Sequence, residues 1–140
     1  MEKNSFYIST DKTLLDIEVI HHYLNEDSYW AKGRSIETIK RSIQHSLCFS
    51  IYDHTHQQVC FARVVSDYAV FAWLLDVFVL ENHQGKGLGK QLIHAIITHQ
   101  DLQGLKRWGL GTKDAHGLYE KFGFKPLSEP DKMMERLSRM

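Results

Sequence analysis

Residues 77–92, VFVLENHQGKGLGKQL, decide how this chain is read. An apolar run ends at Leu80. A short polar link follows, and then Gly85, Gly87 and Gly89 lead into Leu88, Leu92, Ala95 and Ile96 at helical spacing. Glycine lets a backbone adopt positive φ and approach a ligand closely. The free N–H groups and the dipole at a helix N-terminus attract an anion, and Lys86 and Lys90 add positive charge. The stretch predicts a bound phosphate or pyrophosphate.

Spacing separates this loop from two familiar ones. A Walker A loop has four residues between its first glycine and the Gly-Lys pair, followed by Ser or Thr. Here three residues separate Gly85 from Gly89, and Gln91 follows Lys90. A dinucleotide fingerprint is G-x-G-x-x-G, whereas Gly85, Gly87 and Gly89 read G-x-G-x-G.

Upstream, residues 71–80 (FAWLLDVFVL) are almost wholly apolar, as in a central strand covered on both faces. Asp76 is the one charge in the run; a carboxylate there must be solvated, paired or functional. Residues 47–53 and 59–66 read as the two strands of a hairpin. Residues 5–10 read as a short strand. Thr10 or Asp11 is positioned to cap a first helix with Leu14, Ile17, Ile20 or His21, and Leu24 on one stripe; Ser35 caps a second, with Ile36, Ile39 and Ile43. Between them lies a loop, NEDSYWAKGR.

Downstream, residues 105–111 read as a strand. Residues 112–122 read as a helix carrying Ala115, Leu118, Tyr119 and Phe122 on one face, and Gly123 ends it in a left-handed conformation. Residues 124–127 start another strand, and the stretch around Met133 to Arg136 is a candidate for a last one. The order β-α-α-β-β-β-α-β-α-β predicts an α/β layer sandwich around a mixed sheet.

The chain has 140 residues, 43% hydrophobic and 24% charged, the balance of one globular domain spanning 1–140. No apolar run approaches the roughly 20 residues that span a bilayer, and residues 1–10 lack the apolar stretch of a signal peptide. A cytoplasmic protein without membrane partners is expected. A formal net charge of zero argues against a nucleic-acid binder. Cys48 and Cys60 fall in apolar strands and read as buried reduced thiols. The nine histidines, including His21-His22 and the His54/His56 pair, show no zinc-site spacing, so no metal is expected.

Gln84-x-x-Gly87-x-Gly89 resembles the coenzyme A loop of the GNAT superfamily of acyl-CoA N-acyltransferases. Leu118-Tyr119-Glu120-Lys121-Phe122-Gly123-Phe124 resembles that superfamily's helix-to-strand junction, and the order of elements is similar over essentially the whole chain. The resemblance implies a mixed, mostly antiparallel sheet of six to seven strands flanked by four helices. It implies acetyl-CoA as co-substrate and transfer of the acetyl group to a primary amine, on a small molecule or a peptide, by direct attack in a ternary complex.

By the same resemblance, the backbone of Val77, Phe78 and Val79 pairs with the pantetheine arm. The segment Gln84, Gly85, Lys86, Gly87, Leu88, Gly89 and Lys90 holds the pyrophosphate. An N–H near Phe78 or Val79 polarises the thioester carbonyl. Thr112 stands where relatives often carry Asn, either capping its helix or touching the coenzyme. Tyr119 matches the general acid, with a core aromatic as the other reading of its spacing. Asp76 matches an acidic base or water-positioning residue, or else a structural partner for a cation such as Arg63. His116 is a weaker candidate and more exposed. Tyr29, Trp30, Asp67 and Trp73 are candidates for the acceptor side, where aromatic and acidic groups suit a cationic amine; Tyr29 and Trp30 alternatively plug the edge of the core. Dimers are common in this superfamily. A non-catalytic acyl-CoA-binding or sensing domain on the same fold is the alternative function, and a third is interaction through the aromatic loop.

Overall fold

The computed structural model of the chain describes residues 5–138; the first four residues of the N-terminal stretch that lacks a signal peptide's apolar run lie outside them. Five strands, β1 (Phe6–Ser9), β2 (Leu47–Asp53), β3 (Gln58–Ser66), β4 (Phe71–Val79) and β5 (Arg107–Leu110), form one sheet in sequence order. The first three pairings are antiparallel and β4–β5 is parallel. Four helices, α1 (Ile17–His22), α2 (Ile36–Gln44), α3 (Leu88–Ile97) and α4 (His116–Glu120), flank it.

Both faces are covered, as the apolar β4 run required. Leu88, Leu92, Ile93 and Ile96 of α3 and Tyr119 of α4 pack on Phe49, Ile51, Ala62, Val64, Ala72 and Leu74. On the opposite face, Ile20 and Leu24, with Ile39 and Ile43 of α2, pack on Cys48, Phe61 and Phe78. Each fully buried aliphatic side chain contributes about 1.5–3 kcal/mol, so these two clusters carry the fold. Among the described residues no helix is long and apolar enough to cross a membrane.

The alternation of β4 changes phase midway. Ala72 and Leu74 face α3, but so do Val77 and Val79, while Phe78 turns to the α1–α2 side. The register shows why. Arg63 faces Leu75 and Phe61 faces Phe78, so β4 sets Asp76 and Val77 against the single residue Ala62. This is a β-bulge. Asp76 sits in it at φ 54, a left-handed conformation that Asp tolerates better than most side chains.

The helices depart from their expected bounds. The first expected helix is split: Asp11 caps a 3-10 turn, Lys12–Leu14, and Asp16 caps α1 through the Val19 N–H at 3.2 Å. Ser35 caps α2 as expected, accepting from the Thr38 N–H. The expected helix over 112–122 shrinks to α4, because the Thr112 hydroxyl accepts from the Ala115 N–H at 3.0 Å and holds the preceding residues in a turn. Gly123, at φ 92, closes α4 with Gly123 N–H to Glu120 and Phe124 N–H to Tyr119, a Schellman pair.

The expectation of six to seven strands is corrected to five. Neither residues 124–127 nor residues 133–136 pair with the sheet. Phe124 turns its ring into the core against Trp108 and Tyr119, and Pro126, which has no N–H to give a ladder, carries the chain off the β5 edge.

Candidate active site

Strands β4 and β5 pair from Phe71/Arg107 to Leu74/Leu110 and then part. The bulge at Asp76 bends β4 just past the last pair. Beyond it, the β5-facing edge of Leu75 to Val79 has no strand partner, since β5 has ended and the chain has turned toward α4. A cavity of about 630 Å³ opens there, lined by Tyr29, Trp30, Arg34, Trp73, Asp76, Val77, Thr112 and Tyr119 among others.

The glycine loop lies at the far end of β4. The Gln84 side chain folds back to donate to the Val79 carbonyl at 3.0 Å, so it fixes the strand end. Gly85 (φ 81) and Gly87 (φ 78) take the positive φ that points successive N–H groups outward. Among the described residues, the amides of Gly85, Lys86, Gly87, Leu88, Gly89 and Lys90 meet no backbone acceptor; Gln91 makes the first bond into α3. Leu88 is buried under the loop, Lys90 is exposed, and Lys86 lies over the Phe6 ring at 5.8 Å. The arrangement suits an anion.

A side-chain contact joins the two sequence motifs. A Cβ on Gly89 would stand 3.7 Å from Leu118 Cδ2 and 3.9 Å from Val79 Cγ2, so α3, α4 and β4 converge on that glycine. Tyr119, next to Leu118, is 7% exposed and lines the cleft. Burial pushes its phenol up to about 12, with smaller contributions from Tyr29 and Asp114. It is therefore a neutral hydrogen-bond donor throughout the physiological range.

Asp76 is 6% exposed and already fully engaged. Its Oδ1 accepts from the Trp30 indole at 2.9 Å; its Oδ2 accepts from Arg34 Nη1 and Arg63 Nε, each at 2.8 Å. Arg63 also donates to Ser46 at 3.0 Å. Of the alternatives the sequence left open for Asp76, partnership with Arg63 is observed. Arg34 is the member of this cluster that the sequence marks only as a loop residue; its partner is 42 positions away and no local pattern singles it out.

The α1–α2 loop reaches across the cleft. The Tyr29 hydroxyl accepts from the Lys113 N–H at 2.7 Å, and the Lys113 ammonium lies 5.5 Å from the Tyr29 ring centre. Tyr29 thus links the loop to the segment that precedes α4, while Trp30 packs edge-on against it. Trp73 covers β5 so closely that a Cβ on Gly109 would be 2.1 Å from its ring. Phe78 points away from the cleft and stacks on Tyr23 at 4.2 Å, so only its backbone faces the β4 opening. Asp67 is not brought to the cleft: it closes the β3–β4 turn by accepting from the Ala69, Val70 and Phe71 N–H groups. His116 is exposed at the start of α4. Cys48 and Cys60 are buried, with thiols pushed up by desolvation to about 11 and about 12, and so are inert.

A parted β4–β5 pair, a loop of free amides and a buried tyrosine beside the gap define the acetyltransferase class of α/β folds. The chain belongs to the acetyltransferase (GNAT) domain family, which matches residues 44–126, more than half of its length. A GNAT-family crystal structure from Xanthomonas campestris pv. campestris is 49% identical, covers 98% of this chain and 96% of its own, and superposes with a TM-score of 0.93. An uncharacterized N-acetyltransferase of Porphyra purpurea is 28% identical over 94% of this chain and 75% of its own length. The ribosomal-protein-S18-alanine N-acetyltransferase of Escherichia coli shares the fold at 22% identity and a TM-score of 0.70, over 89% of this chain and 80% of its own.

Proposed function

We propose that this chain is an N-acetyltransferase that moves the acetyl group of acetyl-CoA to a primary amine by direct attack within a ternary complex. The observation that carries the reading is the opening of β4 from β5 between the free amides of residues 85–90 and the Tyr119 hydroxyl. The β5-facing edge of Val77 to Val79, which has no strand partner, suits the two amides of a pantetheine arm, and the glycine loop suits its pyrophosphate. The Thr112 hydroxyl accepts from the Ala115 N–H, which fixes its position and leaves its own O–H to donate toward the coenzyme.

In the reaction the amine nitrogen bonds to the thioester carbon, the C–S bond breaks with its electron pair on sulfur, and the nitrogen gives up a proton that ends on the thiolate or on solvent. A free thiol of this kind titrates near 8.5, so full proton transfer from a phenol at about 12 is uphill by roughly 5 kcal/mol. Tyr119 therefore stabilises the departing thiolate mainly by donating a hydrogen bond. Both carboxylate oxygens of Asp76 are already engaged by Trp30, Arg34 and Arg63, so Asp76 is assigned to fixing the bulge and the acceptor loop. The acceptor enters past Tyr29, Trp30 and Trp73, whose aromatic faces suit a cation before it loses its proton.

Titration calorimetry with acetyl-CoA, followed by a thiol-release assay over polyamines, aminoglycosides, amino acids and peptide N-termini, tests this. Coenzyme binding with turnover of at least one amine is expected. Tight binding with no turnover would replace catalysis with acyl-CoA sensing, and no binding at millimolar coenzyme would end both readings.

A further inference from the structure

We propose that the acceptor is a small amine that also carries a carboxylate, of the free amino acid type, and that Arg34 binds that carboxylate. The amine end rests on the acyl-transfer reading; the carboxylate end rests on the charges around Asp76.

Those charges do not balance. Arg34 Nη1 and Arg63 Nε donate to the same oxygen of Asp76, Oδ2, each at 2.8 Å. The other side-chain bonds of the cluster involve neutral groups, the Trp30 indole on Asp76 and the Ser46 hydroxyl on Arg63. Among the described residues, no second carboxylate lies within ion-pair distance of either guanidinium. One carboxylate thus serves two cations, and one positive charge is left over beside the cavity. A partly desolvated charge without a counter-ion is unfavourable, so an anion brought to it is favoured.

Arg34 is the cation that can receive it. The Arg63 side chain is buried, whereas that of Arg34 is 24% exposed and lines the cavity of about 630 Å³. Among the described residues, Arg34 Nε and Nη2 have no acceptor, and neither is sealed from solvent. That edge of a guanidinium is a planar fork that takes both oxygens of a carboxylate. The residue is also set in place in advance. The Gly33 N–H donates to Asn25 Oδ1 at 2.7 Å, the Arg34 N–H donates to the Ala31 carbonyl at 3.1 Å, and Ser35 caps α2. Little ordering of the loop remains for binding to cost.

The same wall has little to offer a second ammonium. Asp76 is engaged on both oxygens, and Asp67 is spent on the β3–β4 turn. The remaining carboxylate of the cavity, Asp114, is exposed and follows the cationic Lys113 in the chain. An amine with one ammonium and one carboxylate fits both ends, the aromatic faces of Tyr29, Trp30 and Trp73 and the fork of Arg34. A polyamine or an aminoglycoside would set further cations against a cluster that is already positive.

Matched acceptors test this: a set of amino acids, each beside its own carboxamide, which keeps the amine and removes the charge. Thiol release gives kcat and KM, and calorimetry of the same pairs on the coenzyme A-loaded protein gives binding without transfer. The amino acid of at least one pair should exceed its carboxamide in kcat/KM by about tenfold or more, the size of a charge-assisted contact. Arg34→Gln should raise KM for that amino acid on the order of 10- to 100-fold, change kcat less, and bring the pair close to parity. Arg34→Lys keeps a cation for Asp76 without the fork and should also narrow the ratio. A structural role for Arg34 alone would weaken both members of a pair alike, and that result overturns the proposal. Carboxamides or polyamines used as well as amino acids by the wild type overturn it too, while leaving acyl transfer standing. No turnover of any amine ends the acyl-transfer reading and the acceptor with it. The wild-type comparison decides the matter even if neither Arg34 variant folds.

Discussion

The indole N–H of Trp30 donates to the carboxylate of Asp76 at 2.9 Å, joining positions 46 apart in sequence. The bond ties the α1–α2 loop to the bulge beside the cleft proposed for the coenzyme. With Arg34 and Arg63 on the other carboxylate oxygen, a single buried residue fixes strand geometry and loop position together.

Replacing that carboxylate should therefore cost stability as well as rate. Asp76→Asn leaves two guanidinium groups facing a neutral amide, and breaking a buried pair in this way costs about 3–5 kcal/mol. Urea unfolding should show a loss of roughly that size, accompanied by weaker acetyl-CoA binding. A rate loss in a variant of unchanged stability and coenzyme affinity would instead return Asp76 to the role of base.

Tyr119→Phe keeps the ring in its core position and removes the donor. Acetyl-CoA affinity should stay within about twofold, while kcat falls on the order of 10²-fold, the usual size for a positioned acid or donor. Single-turnover kinetics at saturating acceptor check this; an unchanged rate would remove Tyr119 from the chemistry.

Alkaline pH should act on stability in a defined direction. The phenol of Tyr119 and the thiols of Cys48 and Cys60 are raised to about 12, 11 and 12, all by burial first. The neutral forms are favoured in the folded state, so their contribution is complete below the unfolded values, near 9 for the thiols and 10 for the phenol. It is lost as pH rises from about 9 through about 12. Denaturation midpoints across that window should fall less steeply for Tyr119→Phe and for Cys60→Ala, each compared with its own value at pH 8.

Two glycines of the loop should respond differently to alanine. Gly87 sits at φ 78, and a Cβ there would find nothing within 4 Å, so Gly87→Ala meets backbone strain of about 1–2 kcal/mol without a clash. It should weaken acetyl-CoA at least tenfold by crowding the amides. Gly89 lies inside α3, where a Cβ meets only ordinary contacts at 3.7 and 3.9 Å; Gly89→Ala should be neutral or more stable by up to about 1 kcal/mol. Thermal melts and calorimetry on the two variants separate the effects.

Gly109→Ala forces the Trp73 ring off β5, because the new methyl would lie 2.1 Å from it. Overpacking of this kind costs about 1–3 kcal/mol. Adding Trp73→Leu should recover most of the loss, and the double-mutant coupling is the measurement. Failure of the second substitution to rescue would mean that Gly109 matters for its own backbone and not for the ring above it.

Much was legible in the sequence because it was local. Glycine spacing, the helix stripe of Leu88 to Ile96 and the Ser35 cap depend on residues within a turn or two of one another, and Gly123 with Phe124 closes a helix by bonds of three and five residues. Tertiary structure decided what depends on distant partners. A lone Asp in an apolar strand states that something must pair with it, but not that Trp30, Arg34 and Arg63 converge there, nor that β4 takes one residue more than β3 and changes phase at that point. Asp67 looked like a site residue by type, and only the fold showed its carboxylate spent on a turn. Residues 124–127 had the composition of a strand, but pairing needs a neighbour at about 4.8 Å, and the anchoring of Phe124 and the ring of Pro126 deny it one in the single chain.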